Sequence, residues 1–254
     1  MKAAEQLRAD FERDGLVSIE GFLDAGQVAE TRRHLQRFIA EVVPTMPETE
    51  VYCEVPGDRS TLKQLQNLGE YESWFGELVG GADSKFLALA EALLGEPVRA
   101  VNLQYFNKPA GIGQPTPPHQ DGFYFHLKPS HAVTMWLALE EVTPEQGCVN
   151  YVVGSHRYGM RWHGRTETLG FSQGILDFGA PNDVEHSKSF PCQAGHLLAH
   201  HSLTVHWADG NVSPDRSRQA LGLVYFARSC GVNEVTKAAY QRQLDEELRQ
   251  KGKI

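Results

Sequence analysis

The sequence predicts a mainly β protein: an all-β barrel or sandwich braced by helices at its N- and C-terminal ends. Two observations point there. Apolar residues recur at helical spacing up to about residue 95, and with a period of two from about residue 97 onward. The later segments are short, rich in Val, Leu, Tyr and Phe, and separated by Gly, Pro, Asn and Asp turns. Helices first and many short strands afterwards fit a helix-braced β architecture. No repeat, low-complexity tract or Pro/Ser linker divides the 254 residues. The simplest organisation is therefore one domain, with a helical region to about residue 95, a β core over about 97–228 and a C-terminal helix over about 234–250.

Each element has its own signal. Leu7 and Phe11 lie four apart in the charged opening stretch, and "LVSIEGFL" reads as a short strand. In "DAGQVAETRRHLQRFIAEVV", Asp24 with Gln27 resembles a capping box. Val28, Leu35, Phe38, Ile39 and Val42 then keep helical spacing until Pro44 stops the run. "SKFLALAEALLG" is a second helix that ends at Gly95. The strands are "VRAVNLQYFNKP", "AVTMWLALEEV", "GCVNYVV", "GHLLAHHSLTVH" and "QALGLVYFARS". In the second of them Val133, Met135, Leu137 and Leu139 face one way, and Thr134, Trp136 and Ala138 the other. Either both faces are buried or one lines a cavity. "TKAAYQRQLDEELRQKG" is a polar helix, expected on the surface.

Composition excludes several function classes. With 41% hydrophobic and 22% charged residues the chain reads as an ordinary globular protein. It has no run of apolar residues long enough to span a bilayer. The opening "MKAAEQLRADFERDG" lacks the apolar core of a secretory signal. Cys53, Cys148, Cys192 and Cys230 form no C-x-x-C pair, which favours free thiols in a reducing, cytoplasmic setting over a zinc-thiolate site. A formal net charge of -8 argues against nucleic acid or anionic membrane as partner, and mildly against a polyanionic acyl-CoA. A small molecule is the expected partner; monomer and homodimer stay equally open.

The candidate chemistry starts at "PPHQDGFYF". If His119 and Asp121 are extended, an imidazole and a carboxylate converge on one strand face. They would be two thirds of the 2-His-1-carboxylate triad that holds Fe(II) with positions left open. With 11 histidines in the chain, an H-x-D tripeptide arises by chance roughly half a time, so a bland turn is the alternative. "HLLAHHSLTVHWADGN" offers His196, His200, His201 and His206 as a distant third ligand, some of them core imidazoles. A 2-oxo acid chelating the metal would leave a far carboxylate that needs a fixed cation. Arginine suits it best because its planar fork binds carboxylate bidentately. "NVSPDRSRQALGLVYF" supplies Arg216 and Arg218 at the start of an apolar strand, with a surface salt bridge as the plainer use of either.

Taken in order, "PPHQDGFYFHLKP", "VTMWLALEEVTPEQGCVNYVVGSH", "GHLLAHHSLTVHWADGN" and "RQAL" resemble the phytanoyl-CoA dioxygenase family. "FERDGLVSIEGFLDAGQV" is similar to that family's opening helix-strand-helix. The resemblance runs from about residue 10 to 228 and implies a double-stranded β-helix of the jelly-roll or cupin-like kind. It implies Fe(II) as cofactor and 2-oxoglutarate and O2 as co-substrates. His119, Asp121 and His206 match the iron ligands. Arg218 matches the arginine that grips 2-oxoglutarate, with Arg216 in reserve; Trp136, Lys108 and Gln104 fall near the co-substrate. The loop Gly154-Ser155-His156 matches a family loop read as structural. Departures are Gly195-His196, Trp207 and Ala208, the last two bearing on pocket shape. Asp121 is the carboxylate that related halogenases lack, so its presence points to hydroxylation or another oxidation.

The implied reaction hydroxylates a C–H bond while 2-oxoglutarate becomes succinate and CO2. Phe106, Gln120, Phe123, Tyr124, Phe125, Trp162, Trp207 and Asn211 are candidate pocket residues, and the aromatic content suggests a small, partly apolar substrate. Three alternatives remain at this level: a cupin-like metal-binding protein without oxygenase activity, an acyl-CoA 2-hydroxylase, or a zinc hydrolase, which would turn over without O2 or 2-oxoglutarate. Arg218 argues against the first, since a bare metal site needs no carboxylate clamp, and the acidic charge against the second.

Overall fold

The structure, a computed structural model, describes residues 3–166, 168 and 173–250. The chain opens with α1 (Ala4–Asp14), β1 (Leu16–Ile19) and α2 (Ala25–Glu41). A hairpin follows, β2 (Val51–Cys53) and β3 (Leu62–Leu65), then α3 (Leu68–Tyr71), α4 (Ser73–Gly80) and α5 (Lys85–Leu94). The β-rich part runs β4 (Val98–Lys108), β5 (Thr116–His119), α6 (Gly122–Phe125), β6 (Leu127–Lys128), β7 (Ala132–Ala138), β8 (Val149–Val152), β9 (His163–Arg165) and β10 (Gln173–Ile175). It continues with α7 (Pro181–His186), β11 (Ser187–Phe190), β12 (Leu197–His201), β13 (His206–Ala208), β14 (Arg218–Ala227) and β15 (Gly231–Val232); α8 (Glu234–Gln250) is last.

The strands sort into a seven-stranded sheet, β1-β12-β7-β14-β4-β3-β2, and a four-stranded sheet, β11-β8-β13-β5, with neighbours antiparallel throughout. Along the chain the core strands pass back and forth between the two: β4 in the large sheet, β5 in the small, β7 large, β8 and β11 small, β12 large, β13 small, β14 large. That is a double-stranded β-helix. The outer face of the large sheet is apolar and packs on the helices, where Leu35, Phe38, Phe75, Phe86, Leu103, Met135, Leu137 and Tyr225 form the main core. The inner face turns to the small sheet and encloses a cavity.

The helical signals act as the sequence suggests. Asp24 accepts from the Gln27 N–H at 2.9 Å while Gln27 Oε1 accepts from the Asp24 N–H at 3.2 Å, closing the capping box of α2. Gly95 ends α5 at φ 72°. Alternation in β7 sends Val133, Met135 and Leu137 into the helix-packed core and turns Thr134 and Trp136 to the cavity.

Three expectations change. "GHLLAHHSLTVH" is two strands in different sheets, not one: the chain leaves the large sheet after His201 and enters the small one at His206. Buried groups fix that crossing, with Thr204 Oγ1 donating to Gly15 O at 2.7 Å and Ser202 O accepting from the Gly122 N–H at 2.8 Å. The helix-leaning first third contains the β2–β3 hairpin, which extends the large sheet by two strands. And α8 is not only a surface helix, since Lys237, Tyr240 and Leu244 border the cavity. Among the described residues no helix is long and apolar enough to cross a membrane, and the four cysteines are free.

Candidate active site

His119 is the last residue of β5 and stands directly opposite His206, the first of β13. Strand pairing thus joins two imidazoles far apart in sequence, with ring centroids 4.1 Å apart. Asp121 arrives differently from the i, i+2 strand geometry suggested by the sequence. The strand has ended, and Asp121 takes helical angles (φ -57°, ψ -34°) at the head of α6. Its side chain swings back through a turn, not along a strand face. Gly122 permits the turn: a Cβ there would lie 2.6 Å from Ser130 Oγ and 3.1 Å from Ser202 O.

The result is one convergent donor set. Asp121 Oδ1 lies 3.5 Å from the Nε2 atoms of both His119 and His206, and three ligand atoms of these residues lie within 4.8 Å of one another. Each imidazole is oriented from behind. His119 Nδ1–H donates to Pro117 O at 2.8 Å and His206 Nδ1–H to Thr204 O at 3.0 Å, which leaves each Nε2 lone pair facing the centre. Burial, with His119 and His200 nearby, pushes His206 well below the usual histidine range, so it is neutral and able to ligate.

Asp121 is held in the same way. Its Oδ2 accepts from Thr134 Oγ1 at 2.6 Å and His200 Nε2–H at 3.0 Å; His200 Nδ1 in turn accepts from Tyr151 O–H at 3.0 Å. One oxygen is saturated and the other, charged, is left for a cation. Two imidazole nitrogens and one carboxylate oxygen on one side, with the cavity on the other, is the donor set of a facial triad. The residues fit an iron ion.

The cavity, about 730 Å³, is lined by both sheets. Arg218 opens β14 beside it, 4% exposed. Its guanidinium stacks over Trp136 at 5.2 Å from the ring centroid, and among the described residues its Nε is buried with no hydrogen-bond partner. Burial lowers its pKa to about 10, so it stays charged at neutral pH. Such a cation calls for an anion from outside the chain. Arg216 is elsewhere: it is exposed and pairs with Glu141 at 3.2 Å and Glu145 at 3.4 Å. Lys108 faces Arg218 across the strands and is buried, its amine donating to Gln114 O. Burial, with the nearby charges of Arg218 and Lys63, lowers it to about 6.

Gln104, Trp136, Phe106, Tyr124, Phe125 and Trp207 all line the cavity. Four other sequence candidates do not. Trp162 is 84% exposed. Phe123 stacks on His163 at 4.5 Å. Gln120 is wholly buried and ties the turn together, donating to Gly159 O and Leu203 O and accepting from the Arg161 N–H. Asn211 braces the loop before β14 by donating to Lys108 O and Arg216 O. The "GSH" loop is structural in its contacts, Ser155 Oγ accepting from the Val205 N–H. Behind Asp121 stand Tyr151, which the sequence reading did not name, His200, which it offered only as a possible third ligand, and Thr134, which it named only for its strand face; Gln64, Gln66 and Asn67 in the far wall were not named. For Thr134 the strand alternation was a usable signal.

A double-stranded β-helix with this facial triad and a buried arginine beside it defines the class of Fe(II)/2-oxoglutarate-dependent oxygenases. The family description "Phytanoyl-CoA dioxygenase (PhyH)" matches residues 11–220, and the chain belongs to that family. It is 28% identical over 237 residues to phytanoyl-CoA dioxygenase 1 of Oryza sativa subsp. japonica, covering 87% of this chain and 80% of that one. It is 26% identical over 250 residues to phytanoyl-CoA dioxygenase domain-containing protein 1 of Bos taurus, covering 83% and 85%. Among solved structures, the epimerase SnoN in complex with Fe3+, alpha ketoglutarate and nogalamycin RO superposes with TM-score 0.69 at 29% identity, over 90% of this chain and 85% of that one. EctD from S. alaskensis with 2-oxoglutarate and 5-hydroxyectoine reaches TM-score 0.73 at 23% identity, over 90% and 77%, a likeness of fold.

Proposed function

We propose that this dioxygenase hydroxylates an unactivated C–H bond of a small molecule held in the cavity, with release of succinate and CO2, the chain working as one catalytic domain in the cytoplasm. The observation that carries the reading is Arg218: a buried guanidinium whose Nε has no hydrogen-bond partner among the described residues, at the wall of the cavity that holds the triad. The four free thiols support a reducing compartment.

When bound, iron and 2-oxoglutarate supply the oxidative chemistry with O2. The chain supplies position. His119, His206 and Asp121 Oδ1 hold one side of the ion. The Arg218 fork would take the distal carboxylate of the co-substrate, with the Trp136 ring lying under the guanidinium. Lys108, largely neutral at pH 7, stands beside that site as a hydrogen-bond donor without adding a second full charge. Phe106, Tyr124, Phe125 and Trp207 restrict water around the reacting C–H. No general base is needed, and no residue is assigned that role.

Anaerobic addition of Fe(II) and 2-oxoglutarate is the test. A visible metal-to-ligand charge-transfer band is expected, lost in His206→Ala; a featureless spectrum overturns the reading. Product mass then decides the outcome of oxidation: gain of one oxygen atom supports hydroxylation, and loss of two hydrogens would replace it by desaturation.

A further inference from the structure

We infer that the substrate is a neutral molecule dense in hydrogen-bonding groups, such as a polyol, glycoside or lactam, and not a fatty acyl thioester. This rests on the oxygenase reading above and concerns the part of the cavity remote from Arg218.

The hairpin β2–β3 lengthens the large sheet beyond the barrel, and with it the wall of the cavity. The added wall carries five side-chain amides, Gln64, Gln66 and Asn67 from the hairpin side and Asn102 and Gln104 from β4, beside Tyr52, Lys63 and Val101. The amides are held in register by one another. Asn102 Nδ2 donates to Gln66 Oε1 at 3.0 Å, the Asn67 N–H to Asn102 Oδ1 at 3.0 Å, and Gln64 Nε2 approaches Gln104 Oε1 at 3.4 Å. Gln64 is 3% exposed, and its Oε1 is buried with no donor among the described residues. A buried acceptor without a donor is the kind of group that a ligand N–H or O–H satisfies.

Sheet register places this belt within reach of the metal centre. His200, Thr134, Val224 and Asn102 form one cross-strand row, and Thr134 and His200 both hold Asp121. Asn102 is two strand spacings from Thr134, or about 10 Å. A molecule with a few rings can therefore rest its polar groups on the amides while presenting a C–H to the centre.

Charge at this end selects against anions. Glu50 and Glu70 line it and are joined to the belt by backbone bonds, the Gln66 N–H to Glu50 O and the Glu70 N–H to Asn67 O. Lys63, in the same wall, pairs with Glu54 at 3.3 Å, and the two exposed cations that also line the cavity, Arg165 and Lys237, belong to β9 and α8 and not to the belt. An acyl chain laid on the belt would cover these amides and leave the buried Gln64 Oε1 without a donor.

The test uses the full chain with Fe(II) and 2-oxoglutarate, and compares methyl glycosides, cyclitols and lactams with palmitoyl-CoA and hexadecanoate. Members of the polar panel are expected to bind the Zn(II)- and 2-oxoglutarate-loaded chain by saturation-transfer NMR and to stimulate succinate release. Gln64→Leu and Gln66→Leu should raise KM for those probes about tenfold or more while leaving the anaerobic charge-transfer band intact. The band also shows that each variant is folded. Silence from the whole polar panel, a stronger response to the acyl probes, or equal KM in wild type and Gln64→Leu overturns the proposal. Absence of the band in the wild-type chain overturns instead the oxygenase reading beneath it.

Discussion

At the scale of single residues, two arginines two positions apart have opposite fates. Arg218 is the first residue of β14 and buried; Arg216 lies in the preceding loop and pairs with Glu141 and Glu145 at the surface. Arg218→Ala is expected to raise KM for 2-oxoglutarate by about 100-fold, since a charge-assisted bidentate contact is lost, and Arg218→Lys to recover only part of it. Arg216→Ala should change it by less than about twofold. Steady-state succinate assays read all three. The pair Tyr151–His200 behind Asp121 gives a second test. His200→Ala is expected to weaken Fe(II) affinity about 10- to 100-fold, with Tyr151→Phe lowering it less, measured by metal titration of the apo chain. Unchanged affinity in both variants would show the relay to be idle. His119 and Asp121 stand out in the sequence as an H-x-D pair, whereas His206 and Arg218 were separated from their neighbours only by the family resemblance; the structure brings the first three together and buries the fourth. His200 was visible only as one of four histidines in a cluster, since nothing local tells an imidazole behind a carboxylate from one in the core.

Among the elements, α6 shows how short-range conformation sets a metal site. Asp121 reaches the centre because the chain turns sharply after His119, and Gly122 fills the space where a side chain would strike Ser130 and Ser202. Gly122→Ala is expected to displace that turn and weaken Fe(II) binding more than it lowers Tm; metal titration beside thermal unfolding separates the two effects. The capping box of α2 was readable because cap and partner lie within one turn of each other. The β2–β3 hairpin was not. Leu62–Leu65 is buried along its whole length, so "LKQL" lacks the alternation of a half-exposed strand, and its lysine is buried against Glu54 and its glutamine against Gln104, both distant enough in sequence to leave no local pattern. The crossing between β12 and β13 was hidden for a related reason. An apolar run of this length reads as one strand, and only pairing partners in two different sheets divide it.

For the whole molecule, the cavity sets a condition on stability. Lys108 is pushed to about 6 by burial and by its cationic neighbours, well under the ordinary lysine value of about 10.4. Between those two values the unfolded chain binds a proton that the folded chain does not, so this residue makes stability rise with pH across the window. Below pH 6 its cost is present in full; near pH 10 it vanishes. Lys108→Met is therefore expected to raise the Tm of the apo chain at pH 7, with the gain shrinking as pH approaches 10, in thermal unfolding followed side by side with wild type. By itself the sequence determined the change from helix to strand period, the helix caps, and the set of side chains able to hold a divalent metal and a carboxylate. Those depend on residue type and on neighbours a few positions away. Only the tertiary structure decided which imidazole faces which, which arginine is buried, and that a hairpin from the helical third walls the cavity. Those outcomes depend on strand pairing between segments far apart in the chain, and no local pattern records that pairing.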